Sequence, residues 1–189
     1  MKQALGQYRG LIGTMRIYMS GWRRLYAILT SPLFHFSLGL SIVNLFFESS
    51  FRWAELVNSS FPTILGFGLA AYTLIFALMG GTLQSALAQK MVAGENKSYL
   101  RFINITFFHA IFIQIITYIF YIVSRSSLIT ASVAGLGVCH GIDFVAVSRR
   151  LHDISNFSGE LMTIYSVMLM ISLLFGVFRL ANIASEQAE

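Results

Sequence analysis

Phe61-Pro62-Thr63-Ile64-Leu65-Gly66-Phe67-Gly68-Leu69-Ala70-Ala71-Tyr72-Thr73-Leu74-Ile75-Phe76-Ala77-Leu78-Met79-Gly80 carries no charge across its whole length. A helix needs about 20 mostly apolar residues to cross about 30 Å of hydrocarbon. In lipid every backbone N–H and C=O must be satisfied within the protein, so a lone apolar stretch of this kind crosses as a helix. Reading outward from it, Phe34–Phe47, Ile105–Val123 and Leu161–Phe178 are further apolar stretches. The first reaches spanning length only when Ser31–Leu33 and Glu48–Phe51 serve as its interfacial ends. The pattern predicts an all-α, integral membrane four-helix bundle with an N-terminal amphipathic interfacial helix. Its parts are an arm over 1–30, a bundle over 31–185 and a tail over 186–189. The spans fall at about 31–50, 61–81, 104–124 and 161–180, with a long loop over 125–160.

Composition agrees. Hydrophobic residues make up 56% and charged residues 11% of the 189 residues, against about 25% charged in a typical soluble domain. Four spans leave no room for a soluble catalytic domain of ordinary size. The single cysteine, Cys139, cannot form an internal disulfide. The N-terminus lacks a short apolar core followed by small residues, so no cleaved signal peptide is expected.

Lys and Arg concentrate in cytoplasmic segments. With four spans, one side holds Lys2, Arg9, Arg16, Arg23, Arg24, Lys90, Lys97, Arg101 and Arg179, and the other holds Arg52, Arg125, Arg149 and Arg150. Nine against four places both termini in the cytoplasm, and the net charge of +5 reads as attraction to anionic inner-leaflet lipid. No basic cluster is dense enough to bind nucleic acid directly. A rival topology lets Leu128–Val147 span, which improves the count to ten against three and moves the C-terminus outside. His140, Asp143 and three glycines oppose it, since a central Asp costs roughly 2.5–3.5 kcal/mol on insertion scales.

The arm carries the cleanest periodic pattern. Tyr8, Leu11, Ile12, Met15, Tyr18, Met19, Trp22, Leu25, Tyr26 and Leu29 recur at steps of three and four, which gathers them on one helical face. Arg9, Arg16 and Arg23 share a neighbouring flank, with Arg24 further round. An apolar face with aromatic residues, bordered by Arg, suits a helix lying in the membrane interface. Gly6, Gly10, Gly13 and Gly21 weaken it by about 1 kcal/mol each, so the arm forms a helix when docked and can be released. It is either a static anchor or a mobile element that reports membrane state or binds a partner.

Two faces of the spans stand out. Gly66, Ala70, Thr73, Ala77 and Gly81 lie within a narrow arc of the second span. Small residues at such steps let backbones approach closely, either inside one bundle or between copies in a homo-oligomer. The pattern continues through Gln84 and Ala88, which extends this helix towards Val92. On the third span Thr106, His109, Gln114, Thr117 and Tyr121 form a polar arc. Polar groups in hydrocarbon need partners, so this arc makes interhelical hydrogen bonds or lines a pore. The last span sets Tyr165, Ser172, Gly176 and Arg179 on a common face, with Arg179 near the inner interface and within reach of Glu95.

No catalytic constellation is legible, and no enzyme activity, cofactor or metal is expected. Cys139-His140-Gly141-Ile142-Asp143 holds a thiol, an imidazole and a carboxylate close together, with His152-Asp153 as the only second pair. A metal site usually draws four ligands from separated pairs, and a Cys–His nucleophile needs an oriented base that near-adjacent residues rarely provide.

Gly21-Trp22-Arg23 with Ser31-Pro32, then Phe61-Pro62-Thr63-Ile64-Leu65-Gly66-Phe67-Gly68-Leu69, then Phe107-Phe108-His109 with Gln114, and finally Phe178-Arg179-Leu180-Ala181, together resemble a group of small four-span bacterial inner-membrane proteins. The resemblance implies the four-span fold and a cytoplasmic Arg179 end. In architecture the chain is also similar to membrane components of anti-phage defence loci, which work with a soluble effector. A basic, glycine-weakened arm beside a membrane bundle with no active site makes the expected role a membrane sensor or anchor for a soluble cytoplasmic protein, and the likeness implies phage defence as its setting. The alternative is a pore-forming effector that depolarises the membrane.

Overall fold

The computed structural model describes residues 26, 28–47, 52–89, 98–126 and 144–186. Arg9, Arg16, Trp22, Arg23 and Arg24 of the arm lie outside the described residues, as do Cys139, His140 and Asp143. The chain divides into two units, Met1–Phe36 and Ser37–Glu189. In the first, the Thr30 hydroxyl donates to the Tyr26 carbonyl at 2.8 Å. The next helix then opens on Pro32, whose missing N–H costs nothing in a first turn.

Five helices are described: α1 Pro32–Phe46, α2 Trp53–Leu78, α3 Gly81–Gln89, α4 Tyr99–Arg125 and α5 Phe144–Glu186. Three contain segments long and apolar enough to cross a membrane, Trp53–Ala77, Tyr99–Arg125 and Ala146–Asn182. The protein is an all-helical, multi-pass membrane protein. Its outward surface agrees: Phe67, Leu174, Phe175 and Phe178 are all largely exposed in the isolated chain, a cost in water and the ordinary state of a lipid-facing residue.

Several boundaries differ from the sequence expectation. The first span, expected over about 31–50, is a helix of 15 residues, about 22 Å long at about 1.5 Å per residue. The second begins at Trp53, not Phe61, so Pro62 falls inside α2. An interior proline costs about 3 kcal/mol or more. Trp53 and Val57 on the added turns, buried with Phe61, offset it by packing against Phe120 and Tyr121. The helix does not run on past Gly80. It stops where Met79 turns extended (φ −65°, ψ 97°), and α3 restarts at Gly81 with Leu87 buried. The largest difference is the segment read as a loop over 125–160, which is helical from Phe144 onward.

Contacts fix the helix directions within the second unit. Thr117 of α4 meets Ser166 of α5, while Tyr99 at the start of α4 lies under Arg179. The two helices are therefore antiparallel. Trp53 meets Tyr121 edge to face and Tyr72 bonds Asn104, so α2 is also antiparallel to α4. The connection from α4 to α5 thus leaves and returns at one end. The stretch Phe144–Asn156 extends beyond that end by about 18 Å at about 1.5 Å per residue.

Candidate functional site

The polar arc of α4 faces the protein interior. Gln114 and Thr117 are fully buried, with Ile103, Phe107 and Ala110 on the same stripe. The Thr117 hydroxyl shares a hydrogen bond with Ser166 at 3.0 Å and donates to the Ile113 carbonyl at 2.9 Å. His109 Nε2 lies 3.1 Å from the Tyr165 hydroxyl. The Thr106 hydroxyl donates to its own helix at Phe102. Tyr121 packs its ring edge against Trp53. On α5, Thr163 is also buried and donates to the Gly159 carbonyl at 2.7 Å. Interhelical hydrogen bonding within one protomer thus accounts for His109 and Thr117. Gln114 differs. Neither its Oε1 nor its Nε2 has a partner among the described residues. The α2 backbone passes close above it, since a Cβ on Gly68 would sit 3.8 Å from Gln114 Oε1.

The small-residue face of α2 points the other way. Gly66, Ala70, Thr73 and Ala77 are all exposed, and so is Gly81 at the start of α3. A Cβ at Gly66 or Gly81 would meet nothing within 4 Å. The Thr73 hydroxyl folds back to the Leu69 and Ala70 carbonyls at 3.0 and 2.9 Å, so the face it presents is small and apolar. Exposed Phe67 and Leu74 form a ridge on one side and exposed Leu69 on the other. The buried side of α2 is a different stripe, through Trp53, Val57, Phe61 and Gly68. Among the described residues, the small-residue face does not serve packing inside the bundle. The break at Met79–Gly80 also removes Gly81 from its helix.

A polar cluster at the end of α2 went unread in the sequence. Asn44 of α1 donates to Glu160 of α5. Trp53 Nε1 donates to Asn156 Oδ1 at 3.4 Å. The Trp53 ring lies so close to Gly159 that a Cβ there would be 2.5 Å from two ring carbons. Asn156, Gly159 and Glu160 at steps of three and four, just before the apolar run of α5, were the available signal.

At the opposite end, the Arg179 guanidinium sits over the Tyr99 ring, 5.7 Å from its centre. Glu95, its expected partner, lies outside the described residues. Tyr165, Ser172, Gly176 and Arg179 do share a face: Tyr165 reaches His109, and the other three border one cavity with α4. His152 and Asp153 are exposed, 3.9 Å apart. Among the described residues no three His, Cys, Asp or Glu side chains gather. No protein-family model, curated protein or solved structure matches the chain.

Proposed function

We propose that the chain is a non-enzymatic, self-assembling membrane subunit. It crosses a bacterial inner membrane four times, α1 included, with both termini in the cytoplasm. Copies pack through Gly66, Ala70, Thr73 and Ala77 of α2. The basic arm and the cytoplasmic segment after α3 engage a soluble partner, for which the bundle is anchor and membrane sensor. Phage defence is the setting that the architectural likeness suggests.

The observation that carries self-assembly is the direction of the α2 face. A stripe of small residues flanked by Phe67, Leu69 and Leu74 turns away from its own bundle, and such stripes let membrane helices approach closely. Support for the topology comes from the antiparallel course of α4 and α5, which keeps the connection between them on one side. The nine-to-four distribution of basic residues then favours a cytoplasmic Arg179 end. Native mass spectrometry in detergent tests the assembly: the wild type should run as one oligomer, and Ala70→Phe with Ala77→Phe should dissociate it. An unchanged subunit count would refute it. Co-purification from native membranes tests the partner, and a soluble protein lost on deleting residues 1–25 is the expected result.

The second reading, a pore-forming effector, draws on Gln114, a buried amide near the middle of α4 without a partner among the described residues. Ion flux through proteoliposomes separates the two, since an anchor conducts nothing.

A further inference from the structure

The face shared by α4 and α5 opens, at the Tyr99 end, into a cavity of about 230 Å³. Tyr99 and Arg179 form its mouth, Phe102 and Phe175 its walls, and Thr106 and Ser172 its far end. Because the helices are antiparallel, Thr106 and Ser172 lie together two turns inward from Tyr99 and Arg179, a depth of about 10 Å at about 1.5 Å per residue. That volume suits the upper part of one acyl chain and is far too small for a whole lipid. Gly176 borders this open space: a Cβ there would meet nothing within 4 Å, so a long side chain has room to enter the cavity.

Among the described residues, charge at the mouth has one sign. Arg179 makes no ion pair with a carboxylate among the described residues; its contact is the Tyr99 ring. The first turn of α4 also begins here, capped by Ser98, with exposed Arg101 beside it, so the N-terminal end of that helix dipole adds positive potential. Among the described residues, no acidic side chain borders the cavity. Farther in, the Ser172 hydroxyl has no hydrogen-bond partner among the described residues and is available to an ester oxygen.

We infer that this cleft binds one membrane phospholipid with an anionic headgroup, its phosphate at Arg179 and the α4 N-terminus and one acyl chain between Phe102 and Phe175. The cleft presupposes a membrane-embedded bundle but neither self-assembly nor a protein partner. A bound lipid of this kind ties the end of α5 to α4 and makes that contact responsive to the anionic lipid content of the leaflet.

Native mass spectrometry of the full chain, titrated with phosphatidylglycerol or phosphatidylcholine, tests it. One cation near an anionic headgroup is worth about 1 kcal/mol, or about fivefold in affinity. The wild type should retain phosphatidylglycerol about fivefold better than phosphatidylcholine, and Arg179→Gln should abolish that preference. Gly176→Leu fills the cavity and should remove retention of both lipids. Arg149→Gln, on the far extension of α5, should leave the preference intact. A folded wild type with no anionic preference overturns the site and leaves the membrane bundle standing. So does a preference that survives Arg179→Gln, or retention that survives Gly176→Leu.

Discussion

Gly159 and Gly176 both lie inside α5, so replacing each with Ala makes the same chemical change in two opposite surroundings. The gain in helix propensity, about 1 kcal/mol for Gly to Ala, is common to both and cancels in the difference. At Gly176 the new methyl meets open space. At Gly159 it would sit 2.5 Å from Cε2 and Cζ2 of Trp53 and 2.7 Å from Cδ2, well inside van der Waals contact. The ring cannot swing aside freely. It is buried among Val57, Phe61, Phe120 and Tyr121, and its Nε1 donates to Asn156. Overpacking of a filled core costs about 1–3 kcal/mol. Gly159→Ala should therefore be less stable than Gly176→Ala by about that amount. The assay is unfolding in mixed micelles of increasing SDS fraction, followed by Trp53 emission in a Trp22→Phe background. Gly159→Ala should also shift the native emission as the ring is displaced, and Gly176→Ala should not. Equal stability of the two variants would refute the close approach of α2 and α5 at this end.

Three further outcomes are expected. Gln114→Met removes two buried, unpartnered polar atoms, each of which costs about 1–3 kcal/mol, and should raise stability in the same unfolding assay; a loss would show that the amide is satisfied. The pair Thr117–Ser166 should show a coupling of about 0.6 kcal/mol in a Thr117→Val, Ser166→Ala double-mutant cycle, the usual size of a hydrogen bond between membrane helices; zero coupling would remove it as a link between α4 and α5. Glu160→Gln keeps an acceptor for Asn44 and should be mild, whereas Glu160→Leu strands the Asn44 amide and should cost about 1–3 kcal/mol; equal effects would argue against the Asn44–Glu160 bond.

Much of this fold is legible in the sequence, and the reasons for the misses are physical. The stretches Phe61–Gly80, Ile105–Val123 and Leu161–Phe178 each lie largely inside an observed helix, because long uncharged runs in lipid have no other way to satisfy their backbone. Apolar runs mark only the lipid-facing part of a helix, however. Trp53–Ser60 and Phe144–Glu160 contain Glu, Arg, His, Asp and Asn and are helical all the same; Trp53 and Val57 are buried in the first and Gly159 lies against the Trp53 ring in the second, contacts that hydropathy does not register. The inward direction of the α4 polar arc follows from the cost of unpartnered polar groups in hydrocarbon, but its partners Tyr165 and Ser166 sit on a different helix and need the fold. The α2 face shows the opposite limit. Gly66, Ala70, Thr73 and Ala77 fit equally well against a neighbouring helix of the same chain or of another copy, and only their exposure in the folded chain separates the two. Gly159 could be marked as a glycine inside a helical pattern, while the ring lying against it is 106 positions away in sequence.

Self-assembly through the small-residue face of α2 is tested most directly by disulfide cross-linking in native membranes. With Cys139 replaced by Ser, single cysteines are placed at Ala70, at Ala77 and at the lipid-facing control Leu174. A disulfide needs Cα atoms about 4.4–6.8 Å apart, a spacing that only closely packed helices of two copies reach. Oxidation should give a dimer band for Ala70→Cys and Ala77→Cys and none for Leu174→Cys. Monomer alone at both α2 positions, or equal cross-linking at Leu174, would contradict it.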